Sequence, residues 1–158
     1  MSETKFFDVV MAGGGVMGCA TAYYLLLQDP TLKVAIVEME PSYEHNSTVL
    51  SDGNTRLQFN IKENILISQY ALEKLKTFST DMAVGDWKPE VSFRQQGNLF
   101  LSDEANKANA IAGLTLQNEM NCGVEWLEPD EVTARFPLYD KTKFAGGVFG
   151  HLDGTMDP

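Results

Sequence analysis

The sequence predicts an α/β fold: a parallel βαβ unit within residues 1–60, followed over 61–158 by part of a mixed α+β domain. Two observations carry this prediction. A β-prone run, a glycine turn, a helical stretch and a second β-prone run follow one another in the first forty residues. Beyond residue 60, apolar residues recur with helical spacing or in short β-prone runs, without a second parallel crossover. A complete doubly wound sheet does not fit in what remains, so we expect an incomplete domain.

The first unit is predicted from three short stretches. Residues 6–11 are β-prone and predict a buried strand, which the glycine turn at 12–15 ends. From Val16 the pattern is helical until Pro30 stops it, and the β-prone run 33–38 ends in an acid. Strand, turn, helix and strand in this order make a βαβ unit.

The second region, after a loop predicted over 41–60, is expected to alternate between helices and short strands. Its predicted elements are, in order, a helix over 61–82, two short strands around Gly97, a helix to about residue 121, a strand over 124–126, a short helix and a strand over 144–149. Ser102 is expected to cap the helix that Gly123 ends. The short helix begins at Pro129 and must stop before Pro137.

Composition and charge narrow the class of protein. The 158 residues are 44% hydrophobic and 22% charged, which is ordinary for a folded protein and argues against disorder. With 12 basic and 22 acidic residues the net charge is −10, which disfavours nucleic acid and anionic membrane surfaces as partners. No stretch approaches the roughly 20 apolar residues of a membrane span, and the N-terminus lacks the pattern of a signal peptide. We therefore expect a cytoplasmic protein.

The cysteines and histidines predict neither a disulfide framework nor a metal site. Cys19 and Cys122 are too few for either, and both are expected to be small packing residues. His45 and His151 lie in polar or glycine-rich surroundings, and neither has the spacing of a metal ligand.

The clearest functional signal is the run Gly13-Gly14-Gly15-Val16-Met17-Gly18, which matches G-x-G-x-x-G between a strand and a helix. Gly13 permits the tight turn, Gly15 lets the backbone approach a pyrophosphate, and Gly18 lets the helix lie close to the strand. The free N–H groups of the helix start then meet the phosphates. Glu38 lies 20 residues beyond Gly18, at the end of the next strand, where its carboxylate can accept hydrogen bonds from a ribose hydroxyl.

This pattern predicts a Rossmann-like dinucleotide site and leaves the cofactor open. The carboxylate of Glu38 would repel a 2′-phosphate, so NADP is disfavoured, whereas FAD and NAD are not separated. The competing interpretation is a plain glycine turn at a helix start, with Glu38 as a surface residue.

Five segments, spread in order over the chain, carry a family resemblance. They are residues 8–18, residues 34–38, Ser51-Asp52-Gly53-Asn54-Thr55-Arg56, residues 94–101 and Leu152-Asp153-Gly154-Thr155-Met156-Asp157-Pro158. Together they resemble the D-amino acid oxidase superfamily of flavin enzymes, and the last three resemble its sarcosine oxidase-like members in particular.

The resemblance implies FAD as cofactor and oxidation of the carbon next to an amine, with a hydride passing to flavin N5 and hydrolysis of the resulting imine. It implies that Gly13, Gly15 and Gly18 hold the pyrophosphate and that Glu38 holds the adenosine ribose. The other cofactor residues that it implies are Gly14, Val16 and Met17 in the turn, and Ser47, Thr48 and Ser51 along the phosphates and the ribityl chain.

Arg56 is the one candidate for a place near the reacting ring. The resemblance puts it near the isoalloxazine, where a cation stabilises the anionic reduced flavin; the alternative is a surface arginine just before a helix.

Family members continue well beyond the Asp-Gly-x-x-Asp-Pro turn and complete the substrate domain there. The chain is therefore expected to be an N-terminal piece, with its amine or amino-acid substrate bound only in the complete enzyme.

Two further hypotheses remain open from the residues. The chain is alternatively a small stand-alone module or subunit that binds NAD or FAD without its own catalysis, or a remnant that binds nothing. An exposed sheet edge would favour self-association in any of these cases.

Overall fold

The computed structural model describes residues 5–157, which fall into two compact units. The first ends at Asp52 and the second runs from Gly53 to Asp157. The division predicted at residue 60 between a cofactor-binding part and a substrate domain stays a prediction. Pro158, the last residue of the Asp-Gly-x-x-Asp-Pro motif, lies outside the described residues.

The first unit is the predicted βαβ unit. Strand β1 (Val9–Ala12) leads through the glycine turn into helix α1 (Val16–Gln28), and strand β2 (Val34–Val37) follows. The two strands pair in parallel, in a register that sets Val9 opposite Val34. The β-branched residues of both strands favour extended backbone, and α1 stops before Pro30 as predicted. The α/β class and the parallel crossover are confirmed.

The second unit holds three α-helices and a short 3₁₀ helix at residues 141–143. Helix α2 is Lys62–Asp81, α3 is Glu104–Glu119 and α4 is Pro129–Arg135. Each lies within two residues of its predicted position. Helix α4 begins at a proline because an N–H at the first helical position has no partner within the helix.

Five short strands build two antiparallel sheets in the second unit. Strands β4 (Asn98–Ser102), β6 (Gly146–Gly150) and β5 (Val124–Leu127) form a sheet in the order β4-β6-β5. Strands β3 (Asn54–Thr55) and β7 (Gly154–Thr155) pair with each other. The mixed α+β region is thus confirmed.

A buried apolar cluster lies between the helices and the three-stranded sheet of the second unit. Its members are Leu57, Ile65, Leu72, Cys122, Val124 and Val148. They come from α2, from the segments that precede α2 and follow α3, and from β5 and β6. This cluster fixes the segment after β3, which carries a predicted site residue.

Two details of the predicted elements are wrong. Only one strand flanks Gly97, because the residues before it form just an isolated bridge between Arg94 and Thr155. Ser102 belongs to the end of β4, and the cap of α3 is Asp103, whose carboxylate accepts the N–H of Asn106 at 2.9 Å. Aspartate caps as well as serine does, and sequence alone does not choose between adjacent candidates.

The loop predicted over 41–60 contains β3, and β7 was not predicted at all. Strands of two residues are too short to show an alternating pattern. They form because partner segments from opposite ends of the second unit meet, Thr55 opposite Gly154.

Candidate functional site

The glycine turn between β1 and α1 packs so closely that side chains are excluded from it. Gly13 has a φ of +104°, a conformation that L-residues rarely adopt, and its N–H donates to the Val37 carbonyl at 2.8 Å. A Cβ on Gly18 would overlap the carbonyl oxygen of Gly13. Gly18 therefore lets the first turn of α1 lie against the end of β1, the role that its position in the motif predicts.

An open cavity of about 470 Å³ lies over this turn and the start of α1. The structure brings eight of the predicted cofactor residues together there: Gly13, Gly15, Val16, Met17, Gly18, Ser47, Thr48 and Ser51. Ala12 and Asn46 complete the lining. No acidic residue lies in the first turn of α1, and its first N–H groups have no partner within the helix. The cavity is thus suited to an anion.

Asn46 is a site residue that sequence reasoning missed. Its side-chain oxygen accepts the Thr48 N–H at 2.9 Å, and Thr48 Oγ1 accepts the Val16 N–H at 3.1 Å. A Cβ on Gly15 would stand 3.1 Å from Asn46 Oδ1 and 3.2 Å from Thr48 Oγ1. The loop after β2 therefore closes over the helix start with polar groups, and the position of Asn46 directly before Ser47 and Thr48 was the available signal.

Glu38 follows β2 and binds the glycine turn directly. One carboxylate oxygen accepts the Gly14 N–H at 2.6 Å and the other accepts the Glu40 N–H at 3.1 Å. The Gly14 hydrogen bond is the main reason that the pKa of Glu38 lies below its ordinary value. Because each carboxylate oxygen has two lone pairs, both retain capacity for a hydroxyl donor. Of the predicted residues in the first unit, Gly14 and Glu38 thus pair with each other beside the cavity lining.

Arg56 lies in the second unit, directly after β3. Its guanidinium carbon is 4.7 Å from the ring centroid of Phe59 and 5.2 Å from that of Phe100. Both distances fall within the range of cation–π attraction. Arg56 is therefore a half-buried cation held by two aromatic faces and not a freely solvated surface arginine.

Asp153 is a fully buried acid of the second unit. Its carboxylate accepts the Leu57 N–H at 2.7 Å and the Gln58 Nε2–H at 2.8 Å. Burial raises the pKa of Asp153 above its ordinary value. The residues directly after Arg56 are therefore fixed by an acid from the Asp-Gly-x-x-Asp-Pro motif, a role that the motif alone did not reveal.

The cysteine expectations are half right. Cys122 is fully buried in the core, as expected for a packing residue. Cys19 is exposed, and its thiol donates to the Gly14 carbonyl at 3.0 Å, so the expectation of packing is wrong there. Position 19 lies in the first turn of α1, whereas the buried residue of that helix, Ala22, lies almost a turn further along.

The histidines lie beside single acids. His45 Nδ1 is 2.9 Å from Glu40 Oε1, and His151 Nε2 is 2.9 Å from Glu125 Oε1. Across residues 5–157, no group of three or more His, Cys, Asp and Glu side chains is arranged to hold a metal ion. Within the same range, no helix has the length and apolar character needed to cross a membrane.

Comparisons with known proteins agree on one family. A family model described as FAD dependent oxidoreductase (DAO) matches residues 8–158. The chain is 33% identical over 156 residues to FAD-dependent oxidoreductase domain-containing protein 1 of Xenopus laevis, a match covering 96% of this chain and 31% of that protein. It is 28% identical over 138 residues to the mitochondrial L-2-hydroxyglutarate dehydrogenase of Caenorhabditis elegans, covering 83% of this chain and 30% of that protein.

A solved structure shares the fold. Glycine oxidase from Geobacillus kaustophilus superposes with a TM-score of 0.74 at 18% identity, and the match covers 96% of this chain and 40% of that chain. The chain spans about a third of the length of the curated relatives that it matches, 31% and 30% of the two proteins above.

Proposed function

The chain belongs to the FAD dependent oxidoreductase (DAO) family, and from this we propose that its first unit binds the pyrophosphate and adenosine of FAD. The observation that carries the proposal is the open cavity at the start of α1, where Gly15 has no side chain and eight predicted residues meet. FAD is the cofactor of the family. The residues present fit its polyphosphate end.

Each part of the turn has a role toward the cofactor. The N–H groups at the start of α1 and the positive end of its dipole attract the pyrophosphate. Gly15 lets the phosphates approach the backbone, and the hydroxyls of Ser47, Thr48 and Ser51 supply hydrogen-bond donors beside them. The carboxylate of Glu38 accepts hydrogen bonds from the ribose hydroxyls through the lone pairs that the two backbone N–H groups do not use.

For Arg56 we propose a place near the isoalloxazine. Its guanidinium lies within cation–π distance of Phe59 and Phe100, and hydrogen bonds to Asp153 fix the next two residues. A cation held in this way needs no reorganisation to stabilise negative charge on a reduced ring.

We propose that the complete polypeptide oxidises the C–N bond of an amino acid or an N-methyl amino acid. Bound FAD supplies the acceptor for the electron pair and hydrogen of the substrate's C–H bond. The support is the set of sarcosine oxidase-like segments, residues 51–56, 94–101 and 152–158.

A second candidate substrate class is favoured by one relative. The match to an L-2-hydroxyglutarate dehydrogenase is 28% identical over 138 residues, so oxidation of the C–O bond of a 2-hydroxy acid is the alternative. Both reactions remove a hydride from a carbon that bears a heteroatom, nitrogen in the first class and oxygen in the second.

An anaerobic reduction experiment separates the two classes. The complete polypeptide is loaded with FAD and mixed with glycine, sarcosine, proline, D-amino acids or 2-hydroxy acids, and loss of the visible absorption of oxidised flavin is recorded. Reduction by an amino acid supports the proposal, and reduction by 2-hydroxy acids alone assigns the second class. FAD loading with no reduction by either set contradicts both. The Gly15→Ala variant, which should bind FAD at least tenfold more weakly, is the control for reduction of free flavin.

Self-association is part of the proposal. Val10 of β1 is paired with Ala35 of β2, and Val37 lies two residues after Ala35 on β2, so Val10 and Val37 lie on the same face of the strand pair. The two residues are 58% and 59% exposed. Apolar strands with a free edge favour pairing with a second copy. Light scattering should therefore show a dimer or larger assembly, and a monomer at all micromolar concentrations would contradict this.

The cytoplasmic location also stays a proposal. The Caenorhabditis elegans relative is described as mitochondrial, so the alternative compartment is specific. Fractionation of cells that express the tagged chain distinguishes the cytosol from mitochondria.

A further inference from the structure

Tyr43 has a backbone conformation that is unusual for a bulky side chain. Its φ is +62°, in the left-handed region that favours glycine and asparagine. Such conformations persist where the surrounding structure holds them, and they cluster at ligand clamps. Two hydrogen bonds hold this one: the Tyr43 N–H donates to the Glu40 carbonyl at 3.1 Å, and the Tyr43 carbonyl accepts the Asn46 N–H at 2.9 Å.

The conformation brings the ring of Tyr43 onto the glycine turn. Its hydroxyl oxygen lies 2.5 Å, and its Cε1 and Cζ 3.3 Å, from the position that a Cβ on Gly14 would occupy. A side chain at position 14 would therefore displace the end of the Tyr43 ring. The N–H of the same Gly14 donates to Glu38, so the ring and the carboxylate meet at one residue.

We propose that Tyr43 binds the adenine of the dinucleotide, a proposal that rests on the proposed function of the turn. The cavity for phosphates is lined by Gly15 and Thr48, whereas Glu38 and Tyr43 contact the neighbouring Gly14. A phosphate pocket, a carboxylate that can bind a ribose and an aromatic ring that can bind a base thus lie at neighbouring residues of the glycine turn.

The Tyr43 side chain is accessible to a ligand. Tyr43 is 38% exposed even though one edge covers Gly14. A purine has a flat π-face, and stacking on an aromatic side chain suits any base without hydrogen bonding to its edge. A ring that already packs against Gly14 loses little further freedom when the base binds.

Isothermal titration of the full chain with two probes, ADP and inorganic pyrophosphate, tests the proposal. Both probes use the phosphate pocket, and only ADP carries a base. Tyr43→Ala should weaken ADP binding about tenfold, as expected for one lost stacking contact, and leave pyrophosphate binding unchanged. Tyr43→Phe, which keeps the ring, should bind ADP as the wild type does. Tyr24→Ala is the matched control, since Tyr24 is 37% exposed on α1 of the same unit.

Thermal unfolding supplies a second readout that a purely structural ring would not give. Tyr43→Gly relieves the left-handed conformation, so its melting temperature should equal or exceed that of Tyr43→Ala while its ADP affinity is just as low. Equal ADP affinity in the wild type and Tyr43→Ala overturns the proposal, and so does a parallel loss of ADP and pyrophosphate. A wild-type chain that binds pyrophosphate but not ADP overturns it together with the proposed adenosine contacts and leaves the pyrophosphate site standing. A chain that binds neither probe overturns the whole proposed function.

Discussion

Gly15→Ala is the change that most directly separates cofactor binding from folding. Gly15 precedes α1 with a φ of −70° and a ψ of −178°, extended backbone that alanine adopts without strain. The new Cβ would stand 3.1 Å from Asn46 Oδ1 and 3.2 Å from Thr48 Oγ1, closer than the 3.4 Å at which ordinary contact begins. These polar side-chain ends must therefore retreat by a few tenths of an ångström.

The expected effect on stability is small because opposing contributions nearly cancel. Alanine restricts the unfolded chain and stabilises the protein by about 0.4–1 kcal/mol. Crowding of movable neighbours destabilises it by about 1 kcal/mol, and alanine is a poorer helix cap than glycine by roughly 0.5 kcal/mol. We expect a net loss of about 0.5–1 kcal/mol in the free energy of unfolding.

The expected effect on binding is larger. The methyl group occupies the wall of the cavity at the place where the phosphates approach the backbone. We predict that the affinity for FAD falls at least tenfold, about 1.4 kcal/mol, as measured by titration, while urea unfolding changes little.

Gly18→Ala is the contrasting variant. Its Cβ would overlap the backbone carbonyl of Gly13, which cannot retreat unless the turn moves. We predict a loss of about 2–3 kcal/mol in stability together with lost binding. If Gly15→Ala binds FAD as tightly as the wild type, the cavity at the start of α1 is not the pyrophosphate site.

Three further predictions concern single residues. Backbone hydrogen bonds lower the pKa of Glu38 from 4.5. They therefore stabilise the folded state above pH 4.5, and this contribution is lost as the pH falls through the lowered pKa. The difference in melting temperature between the wild type and Glu38→Gln should shrink on acidification, and a constant difference would contradict this. Asp153→Ala removes the acceptor of three donors, the Leu57 N–H, Gln58 Nε2 and, at 3.5 Å, Asn98 Nδ2. It should cost about 2–3 kcal/mol in urea unfolding, with Asp153→Asn recovering part of it. A loss below about 0.5 kcal/mol would refute the role of the buried acid. A thiol reagent should label Cys19 alone in the native chain and Cys122 only after unfolding, and rapid labelling of both would show that the core is open.

The features that sequence reasoning predicted are those encoded over short distances. The glycine turn and α1 follow from a contiguous motif, and the long apolar period of α2 from residue 62 to 81 indicates a helix without any tertiary information. The features that it missed depend on meetings between distant segments. Strand β3 forms only because β7 arrives beside it, about a hundred residues later in the chain.

The candidate site divides in the same way. Gly13, Gly15 and Gly18 have roles that local backbone geometry dictates, so their positions in the motif sufficed. Asn46 and Tyr43 reach the turn from a loop that follows neither a helical nor a strand period, about thirty residues further on. A positive φ at a tyrosine has no signature in the sequence, because glycine or asparagine would be expected there.

The most direct test of the proposed cofactor site is the absorption spectrum of the purified chain after incubation with FAD and gel filtration, with a parallel competition by NAD. We predict that the flavin bands elute with the wild-type chain, that NAD does not displace them, and that Gly15→Ala retains less flavin than the wild type. A colourless wild-type chain, or displacement of FAD by NAD, would contradict the assignment of the first unit as an FAD site.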